Sequence, residues 1–177
     1  MRKKVLLIII LLPALLLAQA EKKQDIWAPF KSFVGKWEGK GEGMPGISKA
    51  MKDFQFIMNG KYLLLKGKSI YEPQEKNPKG EVHEDWGFFS YDQFRKKFVL
   101  RQFHIEGFII HYALENIPED GKTFVFISEQ IENAPPGWGA KVTYKFMDAD
   151  TINEQFDLAT SEKGFDCYIV NVLKRKK

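Results

Sequence analysis

Apolar and polar residues alternate in short runs along almost the whole chain, the two-residue period of strands with one buried and one wetted face. Lys141 to Phe146 shows it without a break, with Val142, Tyr144 and Phe146 set against Lys141, Thr143 and Lys145. Asp53 to Met58 and Lys61 to Lys66 flank Asn59-Gly60, a pair that supplies both positive-φ positions of a type I′ hairpin turn. The register of that hairpin sets Phe54 opposite Leu65, Phe56 opposite Leu63 and Met58 opposite Lys61. These form the expected interior face, with Lys61 at the rim, and Gln55, Ile57, Tyr62 and Leu64 form the outer one. Further strands are predicted over Trp37 to Gly43, His83 to Tyr91, Lys97 to Ile105, Phe108 to Leu114, Thr123 to Gln130, Ile152 to Leu158 and Phe165 to Leu173. Short turns join them, at 92–95, 106–107, 116–121, 148–150 and 161–164, besides a Pro- and Gly-containing loop from Pro73 to Gly80.

Strands in this number with sequential neighbours predict an all-β fold, a single antiparallel up-and-down barrel of about 8–10 strands, because closure removes the edges an open sheet would present. One helix is predicted, Asp25 to Val34, with Asp25 as N-cap and Trp27, Phe30, Phe33 and Val34 at helical spacing, placed to plug one barrel end. Asn133 to Gly139 carries two prolines that exclude it from a sheet interior. Within it, Pro135 to Gly139 is the expected mouth loop.

The first twenty residues stand apart from this pattern. Arg2, Lys3 and Lys4 precede an apolar run from Val5 to Ala18 that ends in Ala18-Gln19-Ala20, the layout of a secretory signal peptide cut before Glu21. The run is broken by Pro13 and falls short of the roughly 18–20 residues that span a bilayer. The expected organisation is a signal peptide at 1–20 and a single β-barrel domain at 21–177, exported to the periplasm or the extracellular space, with no stable membrane anchor after cleavage.

Cleavage changes the charge balance. Of 27 Lys and Arg, three leave with the leader, so 24 face 23 Asp and Glu and the formal net charge drops from +4 to +1. What remains concentrated is the tail Lys174-Arg175-Lys176-Lys177, so no nucleic-acid partner is expected. One cysteine, Cys167, allows no intrachain disulfide, and its apolar neighbours suggest a small buried hydrophobe rather than a nucleophile. Fifteen Phe, six Tyr and four Trp either line a partly open cavity or fill a closed one.

The expected cavity lining is Phe54, Phe56, Met58, Leu63, Leu65, Tyr144, Phe146 and Phe156, with Arg101, Tyr144 and Glu154 as polar anchors for a ligand head group. Glu154 shares a face with Ile152, Phe156 and Leu158, where a carboxylate is costly unless paired. It either orients a ligand or reaches solvent from the strand end, and Arg101 either faces the cavity or points outward. His83-Glu84-Asp85 places adjacent side chains on opposite faces, which prevents them from converging on one ion. The chain shows no zinc, phosphate-loop or nucleophile-elbow motif. An enzyme, a catalytic residue, a metal and a cofactor are therefore not expected.

Gly35-Lys36-Trp37 opening the first strand, with Arg175 at the end of the last, resembles the calycins, the superfamily of lipocalin and fatty-acid-binding barrels. That resemblance implies that Trp37 packs at the closed end under Arg175, a structural pairing. Val34 to Pro45, followed by His83-Glu84-x-x-Gly87-Phe88, looks more specifically like the nitrobindin group of haem-binding barrels and related exported bacterial barrels. Those hold haem iron through a histidine on a late strand, whereas here Phe165 to Leu173 contains none. Only Cys167 and Tyr168 offer an axial donor nearby, and His104 or His111 could serve only by facing inward. Three readings follow: an exported non-enzymatic protein holding a small apolar or amphipathic molecule, a haem or nitric-oxide binding barrel, and an envelope interaction module with a filled core.

Overall fold

A computed structural model describes residues 25–115, 121–160 and 164–177. The expected leader at 1–20, and the turns expected at 116–121 and 161–164 except for their final glycines, lie outside the described residues. A 3-10 helix, Ala28–Phe33, is followed by β1 (Gly35–Gly43), β2 (Gly46–Ile57), β3 (Tyr62–Tyr71), β4 (Glu81–Asp92), β5 (Lys97–His104), β6 (Ile109–Leu114), β7 (Thr123–Glu132), β8 (Gly139–Asp148), β9 (Thr151–Ala159) and β10 (Asp166–Arg175). Each strand pairs antiparallel with the next, and β1 pairs with β10, so the sheet closes into a ten-strand up-and-down barrel.

The hairpin register follows the alternation, with Phe54 opposite Leu65 and Phe56 opposite Leu63. Its turn is Met58 to Lys61, closed by the Lys61 amide donating to the Met58 carbonyl, with Asn59 and Gly60 both at positive φ. Met58 itself has φ 49° and is 69% exposed. The strand ends one residue before it, so the chain's bend carries its side chain off the interior face.

The closed end is a plug. Phe30 and Phe33 of the 3-10 helix are fully buried, packed against Phe54, Phe89, Phe98, Phe124, Tyr144 and Phe146 at ring-centroid distances of 4.5 to 6.4 Å. The helix is a single tight segment, not the longer one the spacing suggested: Trp27 rather than Asp25 is its N-cap, with no side-chain cap, and Pro29 sits in its first turn. Asp25 lies two residues before the cap and accepts from the Trp27 amide through its carboxylate and from the Ala28 amide through its carbonyl. Trp37 Nε1 donates to the Phe33 carbonyl at 2.7 Å. Arg175 stacks its guanidinium 4.1 Å over the Trp37 ring and donates to the carbonyls of Ser32, Val34 and Ala149. One side chain from the last strand thus ties the plug to the barrel.

Candidate functional site

Above the plug the interior changes character. Inward positions of β2, β4, β5, β9 and β10 at mid-height carry Lys52, Asp85, Gln102, Glu154 and Asn171, all buried. Lys52 Nζ lies 3.2 Å from Asp85 Oδ2 and 3.2 Å from Glu154 Oε1. The second oxygen of each carboxylate is taken by an amide: Gln102 Nε2 donates to Asp85 at 2.7 Å and Asn171 Nδ2 to Glu154 at 2.7 Å. Burial alone would lower the Lys52 pKa, but the two carboxylates outweigh it and hold the ammonium above its ordinary value. For Asp85, burial is likewise outweighed, by Lys52 and by the Gln102 hydrogen bond, and its pKa is held below the ordinary carboxylate value. A charged group so far from water persists only because its partners are close and correctly placed.

Two glycines make room for this layer. A Cβ on Gly67 of β3 would stand 2.0 Å from Asp85 Oδ2, and one on Gly41 of β1 would stand 2.3 Å from Asn171 Oδ1. Glycine inside a strand otherwise weakens it. Here it lets polar side chains approach the backbone.

From this floor a cavity of about 450 Å³ rises to the end opposite the plug. Its walls include Phe108, Ile110, Ile131, Val142, Phe156 and Leu158, and Lys52, Asp85, Gln102, Glu154 and Asn171 form its polar base. Asn133, Pro135 and Trp138 form one lip, so the expected mouth loop stands at the mouth. His83, His104 and Glu106 stand together on another part of the wall. Among the described residues both ring nitrogens of His104 are buried with no hydrogen-bond partner. Burial pushes its pKa down to about 4 against the raising effect of Asp85, which keeps the ring neutral at ordinary pH.

Of the residues expected to line a cavity, Glu154 and Phe156 do so. Phe54, Leu63, Leu65, Tyr144 and Phe146 belong to the solid aromatic and aliphatic core below the floor, and Phe56 packs against that core from partial exposure. Met58 is in the exposed turn, and Arg101 points outward, donating to Ser90 Oγ at 3.3 Å. The alternation marks which side chains face inward but carries no information on height along the barrel axis, and height is what separates core from cavity. His104 faces the cavity; His111 bonds Glu132 at 2.6 Å and is not part of the wall. Cys167 is exposed rather than buried, because β10 is irregular between Cys167 and Ile169, which shifts the strand's inward phase there.

Lys52, Gln102 and Asn171 were not singled out from sequence, and Asp85 only as a member of the His83-Glu84-Asp85 triplet. Part of the signal was present: Lys52 and Asn171 are polar residues between apolar ones of the same face, Ala50 and Phe54 for the first and Ile169 and Leu173 for the second, and Gly67 interrupts an otherwise strong strand opposite Asp85. The triplet His83-Glu84-Asp85 does split between faces, with Glu84 outside on Lys68. Its inward members find their partners on β2, on β5 and in the turn that follows β5.

No family model and no curated protein sequence matches the chain. Among solved structures it is similar to Rv2717c from M. tuberculosis, with a TM-score of 0.62 and 15% identity over 87% of this chain and 99% of that one. It is also similar to a de novo designed fluorescence-activating β-barrel, with a TM-score of 0.42 and 10% identity over 82% of this chain and 94% of that one. The likeness to Rv2717c is one of fold.

The haem that the nitrobindin resemblance implies does not fit the residues present. Strand β10 presents Tyr168, Ile169 and Asn171 to the cavity and no histidine, Cys167 lies outside, and burial pushes the Tyr168 phenol up, against the phenolate that iron would need. His104 offers a nitrogen, but donor atoms of His83 and Glu106 lie within 4.8 Å of its own.

Proposed function

We propose that this barrel is a non-enzymatic carrier, exported from the cell, that holds a small amphipathic molecule with its apolar part against the upper walls and its polar end on the mid-barrel floor. The observation that carries this reading is the pairing of one lysine with two carboxylates at the base of an otherwise apolar cavity, with side-chain exposures of 6%, 3% and 4% for Lys52, Asp85 and Glu154. Apolar walls supply affinity in proportion to area removed from water, and the few polar groups fix orientation.

The charge of the lining selects among amphipathic ligands. Among the described residues, four acids, Glu81, Asp85, Glu106 and Glu154, face the cavity against the single ammonium of Lys52. A carboxylate head group would meet like charge at short range, while an amine or another donor-rich head meets acceptors with lone pairs to spare. The ligand class is therefore an apolar chain or ring bearing a cationic or hydrogen-bond-donating end.

Fluorescence titration with a dansylated alkylamine and a dansylated fatty acid of equal chain length tests the reading. The amine is expected to bind at least about tenfold tighter, a difference of about 1.4 kcal/mol, and Glu154→Gln, which keeps the shape of the side chain, is expected to narrow the gap. Failure of both probes to bind, or preference for the fatty acid, would overturn it. Native mass spectrometry of the protein from its own compartment identifies a retained ligand by mass.

A further inference from the structure

Beyond the carrier reading, we propose that His83, His104 and Glu106 form a binding site for one divalent transition-metal ion of the zinc type on the cavity wall, with its open coordination position facing the cavity. The three side chains come from two neighbouring strands and the turn after the second. β4 supplies His83 and β5 supplies His104, and Glu106 sits in a corner fixed by its backbone: the Gly107 amide donates to the His104 carbonyl, and the His104 amide to the Phe108 carbonyl. One ligand atom from each residue lies within 4.8 Å of the others. A tetrahedral ion with bonds of 2.0–2.1 Å requires donors about 3.4 Å apart. His83 Nδ1 and Glu106 Oε1, hydrogen-bonded at 2.7 Å, are closer than that, and the remaining donor atoms lie within 4.8 Å, so the first pair must open and any wider one close for a tetrahedron to form.

Three further features suit an ion. His104 has two buried nitrogens that no protein group among the described residues satisfies, a costly arrangement for a polar ring unless something else meets them. Its ring is stacked on Phe108 at a centroid distance of 4.4 Å, which fixes its plane. The remaining nitrogen of His83, Nε2, stands 3.9 Å from Asp85 Oδ2, longer than a hydrogen bond but on the side where a carboxylate behind a ligating histidine belongs. Two imidazoles and one carboxylate match the preference of zinc and its neighbours rather than of calcium or magnesium, which take oxygen. Three protein ligands leave a position open, and it faces the space in which the ligand of the preceding section would lie.

The test is titration of the full chain, freed of metal by chelator, with Zn²⁺ alone against a chromogenic competitor and with Co²⁺ followed by its visible absorption. One equivalent is expected to bind. Removing a direct ligand costs at least what removing an outer partner does, about 10- to 100-fold in affinity, so His104→Ala and Glu106→Gln are each expected to weaken binding by that much. His111→Ala, outside the cavity, is expected to change nothing. Glu106 is exposed, so its variant reports on the site even if His104→Ala fails to fold, and circular dichroism checks each barrel. Absence of saturable binding at one equivalent, or binding unchanged in Glu106→Gln, would overturn the site. The metal is titrated without an organic probe, so this failure is distinct from failure of the carrier reading.

Discussion

Tyr112 and Tyr144 lie immediately beneath the floor, both fully buried. The Tyr112 hydroxyl has no hydrogen-bond partner among the described residues, and Tyr144 stands across the ladder from Glu154. Burial, reinforced by the nearby Asp85 and Glu154 charges, raises both phenol pKa values well above the ordinary one, and the same carboxylates raise that of Lys52. The sign of the resulting pH dependence is fixed. All three groups hold their protons more tightly when folded, so their contribution is complete below the unfolded values of about 10 and is lost as pH rises past them. Each such group adds about 1.4 kcal/mol per pH unit to the slope once its unfolded form ionises. Urea unfolding at pH 8 and pH 11 is expected to show a steep alkaline loss, and Tyr112→Phe to remove one group's share of it. An identical pH slope in the variant would mean that Tyr112 is not held protonated by its burial.

At the scale of the element, β3 illustrates how one small residue sets the level of the floor. Its inward residues run Leu63, Leu65, Gly67, Ser69 and Tyr71, from core to mouth, and the change from large to absent side chain coincides with the Asp85 carboxylate. Gly67→Ala would force that carboxylate away from Lys52 and Gln102, and its expected cost is about 1–3 kcal/mol, read as a lower urea midpoint with unchanged slope. Strand existence and pairing were legible from alternation and turn residues, as was the Trp37–Arg175 pairing from the calycin resemblance. The first half of β2 was not legible as strand, because Gly46 to Lys52 mixes small and charged residues whose inward members, Ser48, Ala50 and Lys52, are small or polar rather than large and apolar. Met58 reads as strand because its partner position looks regular. The positive φ that begins the turn one residue early has no marker in a methionine.

For the molecule as a whole, the interior divides into a solid half and a hollow half, and the two are expected to respond differently to substitution. Phe30→Ala removes a ring from the centre of the plug and is expected to cost about 3–5 kcal/mol. Affinity for the alkylamine probe, measured where the variant is still folded, is expected to stay within about twofold, about 0.4 kcal/mol. A parallel loss of binding would show that the plug and the cavity are coupled. Closure of the sheet through β1 and β10, with Arg175 gripping the backbone at Ser32 and Val34, makes the first and last segments of the domain mutual prerequisites. A nascent chain still missing its final strand presents two unpaired borders and an unsecured stopper, and the contacts that finish assembly span nearly the full sequence, which slows folding. The native state can therefore exist only once β10 has been made, and a chain halted short of it lacks both the closed sheet and the anchored stopper.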